Sequence, residues 1–380
     1  MLKYIPNITF DFLGVVMITF VCVVVFQLVY LLVFQLRLLI HKEKDVTKSI
    51  FPSISVIVCA RNEEDNLFKN LPLILNQNYP NFEVVIVNDQ SEDASNHIIN
   101  AYKNEYPFIK HIELEKNKHR QFGKKLPLTV GIKGASNELI VVTDADCIPN
   151  SINWLQHIAK NYQDDKEIVL GFSPYVKTKG FLNKIIRFDS SVIAITYMSF
   201  AKTALAYMGV GKNMGYSKAK FLSVDGFKNH YHIASGDDDL FIKDAATKKN
   251  IAIELNPESF VFTTPKKTWA KWICQKQRYF RTSPEYKLIN KLFLGVLPFS
   301  MLILYISFFI LLFNTEWIYF VLAVFSIRLL LYWIINGWLL KKMQMNDLIW
   351  WFPLFEILHN IIIPFIFYSN LNSRTQRKRW

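Results

Sequence analysis

The chain has 380 residues, 51% of them hydrophobic and 15% aromatic, with 44 Lys and Arg against 31 Asp and Glu. The apolar residues bunch at the two ends, which argues against a soluble protein with one greasy core and for an integral membrane protein. The net charge of +13 sits beside the apolar segments and in the tail Arg374 to Arg379; with no nucleic-acid-binding motif beside it, it points to an anionic membrane surface and not to nucleic acid.

The first element is an uncharged run of 25 residues, Phe12 to Leu36, longer than the roughly 20 that cross a bilayer core. No small-residue cleavage site follows it. Arg37, Lys42, Lys44 and Lys48 come next, so the positive-inside rule puts the N-terminus outside and the chain after His41 in the cytosol. Leu292 to Phe313 reads as a second span and Trp317 to Leu340 as a third, joined by the external turn Asn314-Thr315-Glu316. Arg328 lies within the third span, where it either faces protein or snorkels to the headgroups. Ile349 to Tyr368 carries Pro353, Glu356, His359, Asn360 and Pro364. If it crossed, the basic tail would be outside, so a re-entrant or interfacial element is preferred over a fourth span.

Between the spans, short apolar runs alternate with helical periodicity. Ile54 to Cys59 reads as a buried strand, and Leu67, Leu71, Ile74 and Leu75 form one face of a helix that stops at Tyr79-Pro80. Phe82 to Val87 is a second strand, Asp93 to Tyr102 a helix, and Ile109 to Leu114 a third strand. Leu126 to Ala135 is a helix and Glu138 to Thr143 a fourth strand. Alternation of this kind means α/β architecture with a parallel sheet and right-handed crossovers. Ligands in such sheets bind beyond the carboxyl ends of the strands, and the polar clusters at Asn62, Asp89 and Asp144 all follow strand ends. No G-x-G-x-x-G follows the first strand and no G-x-x-x-x-G-K-[ST] occurs, so a dinucleotide fold or P-loop is poorly supported. Without a glycine cradle, diphosphate charge must be met by metal and cationic side chains. Cys22, Cys59, Cys147 and Cys274 are scattered with no C-x-x-C pair and fit a reducing compartment. Cys147 reads as a small apolar neighbour of the acidic cluster and not as a nucleophile.

At these residues, from about Ser53 to Tyr279, the chain resembles a family 2 glycosyltransferase of the GT-A fold. Ser55 to Glu64 resembles the family's first nucleotide-contacting loop, and Val87-Asn88-Asp89-Gln90-Ser91-Glu92-Asp93 resembles V-D-D-G-S-x-D. Asp144-Ala145-Asp146 matches D-x-D, Gly236-Asp237-Asp238-Asp239-Leu240 resembles E-D-x-D-L, and Gln275 to Tyr279 resembles Q-x-x-R-W. The departures are Asn88 for Asp, Gln90 for a turn glycine, Gly236 for Glu, and Tyr279 for Trp. Gln90 suggests another loop shape, and Gly236 leaves the register of the base open, with Asp238 as the alternative to Asp237.

The resemblance implies a GT-A domain over 49–287, and the apolar runs and flanking charge imply a span and basic linker over 1–48, a membrane region over 288–370 with two spans plus a third or re-entrant segment, and a basic tail over 371–380. It implies nucleotide contacts from Ala60, Asn62, Glu63, Asp89, Lys124 and Asp144, and a metal, Mg²⁺ or Mn²⁺, held by Asp146 and Asp144. Gln275 and Arg278, which share a helix face, would meet the diphosphate. Lys276 and Arg281 leave a plain basic membrane-facing helix as the competing reading. Gly211, Asn213, Asp238 and Tyr279 would line the donor and acceptor pocket, with Gly211 to Gly215 under the donor sugar. Asp237 would be the base of an inverting hexosyl transfer. The expected donor is a nucleotide-diphosphate sugar, and the expected acceptor a lipid or lipid-linked glycan at the cytosolic face of the cell membrane. A membrane sugar-phosphate nucleotidyltransferase and a processive polysaccharide synthase are the alternatives. Phe181 to Met208 is either an interfacial amphipathic helix or a buried core helix.

Overall fold

The computed structural model describes residues 11–46, 51–115 and 123–372. Lys48 and the basic residues Arg374 to Arg379 lie outside them. The chain forms two compact units: the residues up to His41 join Lys287–Ser369, and Lys42–Tyr286 form the other. In the first unit α1 (Phe12–Tyr30) passes through a π-helical turn, Leu31–Gln35, into α2 (Leu36–Leu39), giving one rod over Phe12–Leu39. Asp11 caps its start, with Oδ1 accepting from the Gly14 N–H at 2.8 Å.

The second unit opens with β1 (Ile54–Ala60), α3 (Glu64–Leu75), β2 (Phe82–Asn88), α4 (Ser95–Glu105), β3 (Ile109–Glu113), α5 (Lys125–Gly134) and β4 (Leu139–Asp144). These strands lie in the order β3-β2-β1-β4 and are all parallel. Helices cover the sheet, so its central strands are buried on both faces and read as unbroken β-branched runs rather than alternating ones. Ile54, Val56, Ile57 and Val58 of β1 are fully buried. Leu67, Leu71, Ile74 and Leu75 of α3 pack on the same core as Val84 and Ile86 of β2.

The remaining elements are β5 (Cys147–Pro149), α6 (Trp154–Ala159), β6 (Ile168–Leu170), α7 (Phe181–Lys202), β7 (Met214–Ser217), α8 (Lys218–Ser223), α9 (Asp239–Ala245), β8 (Ile251–Ile253), β9 (Val261–Thr263) and α10 (Trp269–Tyr279). β7 runs antiparallel between β4 and β6, and β8 joins parallel to β6. A separate antiparallel ribbon pairs β5 with β9. The sheet is therefore mixed, with its parallel half expected from sequence and its antiparallel half not. Helix α7 is a core helix: Ile185, Ile186, Phe188, Ile195, Tyr197, Met198 and Phe200 are buried, which settles its two readings against the interfacial one.

The first unit is completed by α11 (Leu288–Leu311), α12 (Ile318–Lys342) and α13 (Phe352–Asn372). With the rod at Phe12–Leu39, four helices among the described residues are long and apolar enough to cross a membrane. Helix α13 continues through Pro364, so this segment is one helix and not the broken hairpin that a re-entrant loop requires. Arg328, Tyr332 and Asn336 recur at four-residue spacing on α12 and face one stripe of polar groups on the N-terminal rod. Arg328 Nε donates to Gln27 Oε1 at 2.7 Å, the Tyr332 hydroxyl to the Gln27 carbonyl at 2.9 Å, and Asn336 Nδ2 to Gln35 Oε1 at 2.8 Å. Arg328, with 0% exposure, also holds Glu356 of α13 through two bonds of 2.9 Å. It thus faces protein and does not snorkel. Polar groups between helices bind them together in this way because lipid offers no competing partners.

Candidate active site

The register of the parallel strands sets three strand ends side by side: Ala60 opposes Asn88, and Cys59 opposes Asp144. The loops leaving β1 and β2 are laced together. The Asn62 N–H donates to Ser91 Oγ at 3.0 Å, the Glu92 N–H to Asn62 Oδ1 at 2.8 Å, and the Asp89 N–H to the Ala60 carbonyl at 2.8 Å. The Glu63 N–H donates to Ser95 Oγ at 3.0 Å, and burial raises the Glu63 carboxyl above its ordinary range. Gln90 has φ of 57°, the left-handed conformation that a turn glycine adopts without strain. The loop therefore keeps the glycine-type turn despite the substitution, which corrects the expectation of another shape.

Lys124, at the start of α5, joins two of the acidic clusters. Its ammonium donates to Asp144 and lies 3.8 Å from Asp237 Oδ2. Burial disfavours its charge, but Asp144 and Asp237 outweigh this and hold its pKa well above the ordinary lysine value. Asp237 follows Gly236, whose φ is +91° and whose missing Cβ would lie 2.7 Å from the Leu240 side chain. Neither the backbone nor the space admits the family's glutamate there. Asp238 accepts the Gly211 N–H at 3.0 Å, and burial together with the charges of Asp237 and Asp239 pushes its pKa up to about 7. Asp239 is taken up structurally, accepting from the hydroxyls of Thr282 and Tyr286 and from the Leu240 N–H. Lys125 turns away from the crevice and donates to the carbonyls of His230 and Ile233. It thereby pins the loop that leads to Asp237, a role that the sequence left unread.

Asp146 lies close to Asp144. One ligand atom from each of Asp144, Asp146 and Cys147 falls within 4.8 Å of the others. Cys147 Sγ donates to Asp146 Oδ1 at 3.4 Å, and the Thr263 hydroxyl to Asp146 Oδ2 at 3.3 Å. Burial, then Asp144 and Asp146, raise the Cys147 thiol well above its ordinary pKa, and burial pushes Cys59 up to about 12. Both thiols are therefore neutral and unsuited to nucleophilic attack.

From Thr263 a chain of contacts leads to α10. Lys212 Nζ donates to the Thr263 hydroxyl at 3.1 Å and sits 5.5 Å from the centre of the Tyr175 ring. The Tyr175 hydroxyl lies 3.5 Å from Gln275 Oε1, and Gln275 Nε2 donates to the Tyr279 hydroxyl at 3.0 Å. The Arg278 guanidinium is 5.5 Å from the centre of the Tyr279 ring. Lys276 points inward and pairs with Asp189 of α7 at 2.9 and 3.0 Å. This removes Lys276 from the competing reading of α10 as a plain basic surface helix. Lys212 is a second cation that the sequence reading passed over, although it lies inside the glycine loop already singled out.

Asn213 is a correction. Its side chain is fully buried; Oδ1 accepts from Trp154 Nε1 at 3.0 Å, and Nδ2 donates to the carbonyls of Phe172 and Ser259 at 2.8 Å each. With its amide committed to the protein, it supports the Gly211 to Gly215 loop from beneath and does not line a pocket. Gly211 itself lies at the surface of closest approach: a Cβ there would be 3.4 Å from that of Asp238.

Residues 55–224 match the family model described as Glycosyl transferase family 2. Over 132 residues, 33% of this chain and 26% of the relative, the sequence is 33% identical to a beta-monoglucosyldiacylglycerol synthase of a Nostoc species. It is also 33% identical over 115 residues, 28% of this chain and 27% of the relative, to a poly-beta-1,6-N-acetyl-D-glucosamine synthase of Staphylococcus epidermidis. The chain thus spans about a quarter of the length of these two curated relatives. The fold is similar to that of a Pyrobaculum calidifontis mannosyltransferase solved with GDP-Man and Mn²⁺, with a TM-score of 0.56 at 17% identity over 92% of this chain and 97% of that one. With its strand-end carboxylates and mixed sheet, the domain framed by residues 55–224 belongs to glycosyl transferase family 2 and has the GT-A fold.

Proposed function

We propose that this chain is a membrane-bound inverting glycosyltransferase that moves a hexosyl group from a nucleotide-diphosphate sugar to a lipid or lipid-linked glycan. The observation that carries the reading is the single ammonium of Lys124 set between Asp144 and Asp237. It couples the carboxylate beside the donor diphosphate to the carboxylate that would receive the acceptor's proton.

The donor set fits a hard divalent cation. Asp144 and Asp146 offer carboxylate oxygens, the ligand type that such a cation takes. Mg²⁺ or Mn²⁺ held by Asp146 and Asp144 would supply positive charge against the departing diphosphate. Ala60, Asn62, Glu63 and Asp89, on the laced loops, would bound the nucleoside. Gln275 and Arg278 would hold the diphosphate, Arg278 with the paired donors that suit phosphate. Gly211 leaves room for the sugar beside Asp238, and Tyr279 offers an aromatic face to the acceptor. Asp237 would take the proton of the acceptor hydroxyl as its oxygen bonds to the anomeric carbon. The bond from that carbon to the diphosphate oxygen breaks with its electron pair on the leaving group. In-line attack inverts the centre.

The basic residues Arg37, Lys42 and Lys44 after the first candidate span support a cytosolic catalytic unit at the cell membrane. The relative named as a beta-monoglucosyldiacylglycerol synthase supports a lipid acceptor, and the one named as a poly-beta-1,6-N-acetyl-D-glucosamine synthase supports a polymer product. Membranes containing the full chain, incubated with a panel of labelled sugar nucleotides and Mg²⁺ or Mn²⁺, separate the two. Label in the organic extract is the expected result, whereas label in high-mass aqueous material would favour the polymer. Pyrophosphate release without sugar transfer would turn the reading toward nucleotidyl transfer, and no turnover of any donor would overturn it.

A further inference from the structure

Lys212 is fixed in place by both of its neighbours. The Gly211 N–H donates to Asp238 Oδ2 at 3.0 Å, and the buried amide of Asn213 is bonded to Trp154, Phe172 and Ser259. Between these anchors the Lys212 side chain is half-buried. Its ammonium donates to the Thr263 hydroxyl at 3.1 Å and lies 5.5 Å from the centre of the Tyr175 ring. The Thr263 hydroxyl passes its own proton to Asp146 Oδ2 as a donor at 3.3 Å. Tyr175 in turn reaches Gln275 of α10, its hydroxyl 3.5 Å from Oε1. Lys212 therefore stands between the carboxylate proposed to hold the metal and the helix that carries Gln275 and Arg278.

The other lysines around the crevice are committed to the protein. Lys124 faces Asp144 and Asp237, Lys125 holds two carbonyls, and Lys276 pairs with Asp189. Among the described residues the Lys212 ammonium bonds to one hydroxyl and forms no ion pair. An ammonium carries three donors, and a cation partly withdrawn from water is costly until a counter-charge meets it. We propose that Lys212 meets the β-phosphate of the donor and acts with Arg278 on the leaving group, an assignment that rests on the reading of the crevice as a nucleotide-sugar site. As the bond from the anomeric carbon to the diphosphate oxygen breaks, its electron pair adds negative charge to that phosphate. Lys212 keeps its proton and donates hydrogen bonds to the growing charge. A cation whose backbone is already held on both sides needs little reordering to do so, and this is what makes a fixed charge effective in a transition state.

The test is calorimetry on the full chain in nanodiscs with UDP, UMP, GDP and GMP, each in the presence of Mn²⁺. Wild type should bind the diphosphate of one base more tightly than its monophosphate. Lys212→Met should weaken that diphosphate by about 10- to 100-fold, the worth of a hydrogen bond to a charged group, and leave the monophosphate nearly unchanged. Lys212→Gln is neutral but still able to donate to Thr263; it should behave alike and serves if the Met variant does not fold. Thr263→Val keeps the ammonium and should retain more of the preference for the diphosphate. Equal losses in Thr263→Val and Lys212→Met would make Lys212 a support for Asp146 and overturn the proposal. No loss in Lys212→Met, or equal losses for diphosphate and monophosphate, would overturn it too while leaving the crevice reading intact. A wild type that binds neither diphosphate would overturn the crevice reading itself, and the role of Lys212 with it.

Discussion

The Nζ of Lys124 lies 3.8 Å from Oδ2 of Asp237 and donates at the same time to Asp144. Without that charge two carboxylates of one crevice face each other unshielded. Lys124→Met should therefore lower turnover by about 10²- to 10³-fold, the size of effect seen when one fixed electrostatic group is removed from an active site. Steady-state kinetics with the donor found in the panel would check it. A variant with unchanged turnover would remove Lys124 from the site.

Asp237→Asn should cost about 10²- to 10⁴-fold in turnover, the range for losing a positioned base, while nucleotide binding by calorimetry stays near wild type. If Asp238→Asn instead abolishes transfer and Asp237→Asn does not, the base is one residue further on.

Asp238 also predicts a pH effect on stability. Its folded pKa is about 7, raised from 3.8 by burial and by its acidic neighbours. A carboxyl that binds its proton more tightly when folded adds stability below its unfolded value, and that stability is lost as pH rises through the folded value. Between about pH 4 and pH 7 the thermal midpoint of wild type should therefore fall relative to that of Asp238→Asn. Parallel curves for the two proteins would contradict this.

Asp146→Asn should weaken Mn²⁺-dependent nucleotide binding by at least about 10- to 100-fold, a loss already typical when only an outer partner of a metal ligand is removed. Cys147→Ala should leave it nearly unchanged, since a hard divalent cation takes oxygen ligands. The reverse pattern would make sulfur the ligand.

Arg328→Met leaves Glu356 buried among apolar helices without its bidentate partner. Loss of one partner from such a pair costs about 3–5 kcal/mol. The double variant Arg328→Met/Glu356→Met should recover much of the lost thermal stability in nanodiscs. Equal loss in single and double variants would show that packing, not pairing, dominates.

The parallel half of the sheet was legible because β1, β2 and β4 are buried on both faces and spell their burial as unbroken β-branched runs. The three-residue strands β5, β6, β8 and β9 are too short to establish a period. They form because of partners far away in sequence. The same limit governed the site. Asp144, Asp146 and Asp237 were found as motifs, but Lys125 acts through carbonyls contributed by His230 and Ile233, which no local spacing reveals. Asn213 was misplaced because its motif fixes a position in the loop but not the direction of its amide. In the membrane unit the four-residue spacing of Arg328, Tyr332 and Asn336 was present in the sequence, but its meaning depended on Gln27 and Gln35.

The ribbon of β5 and β9 joins two parts of the crevice. Asp146 directly precedes one of its strands, and Thr263 ends the other, five residues before the Thr268 cap of α10. If Arg278 holds the diphosphate as proposed, the helix that carries it and Asp146 are joined through the same two-stranded strip. Metal and nucleotide would then be felt by one another through covalent backbone as well as through charge, and each should tighten the other's grip.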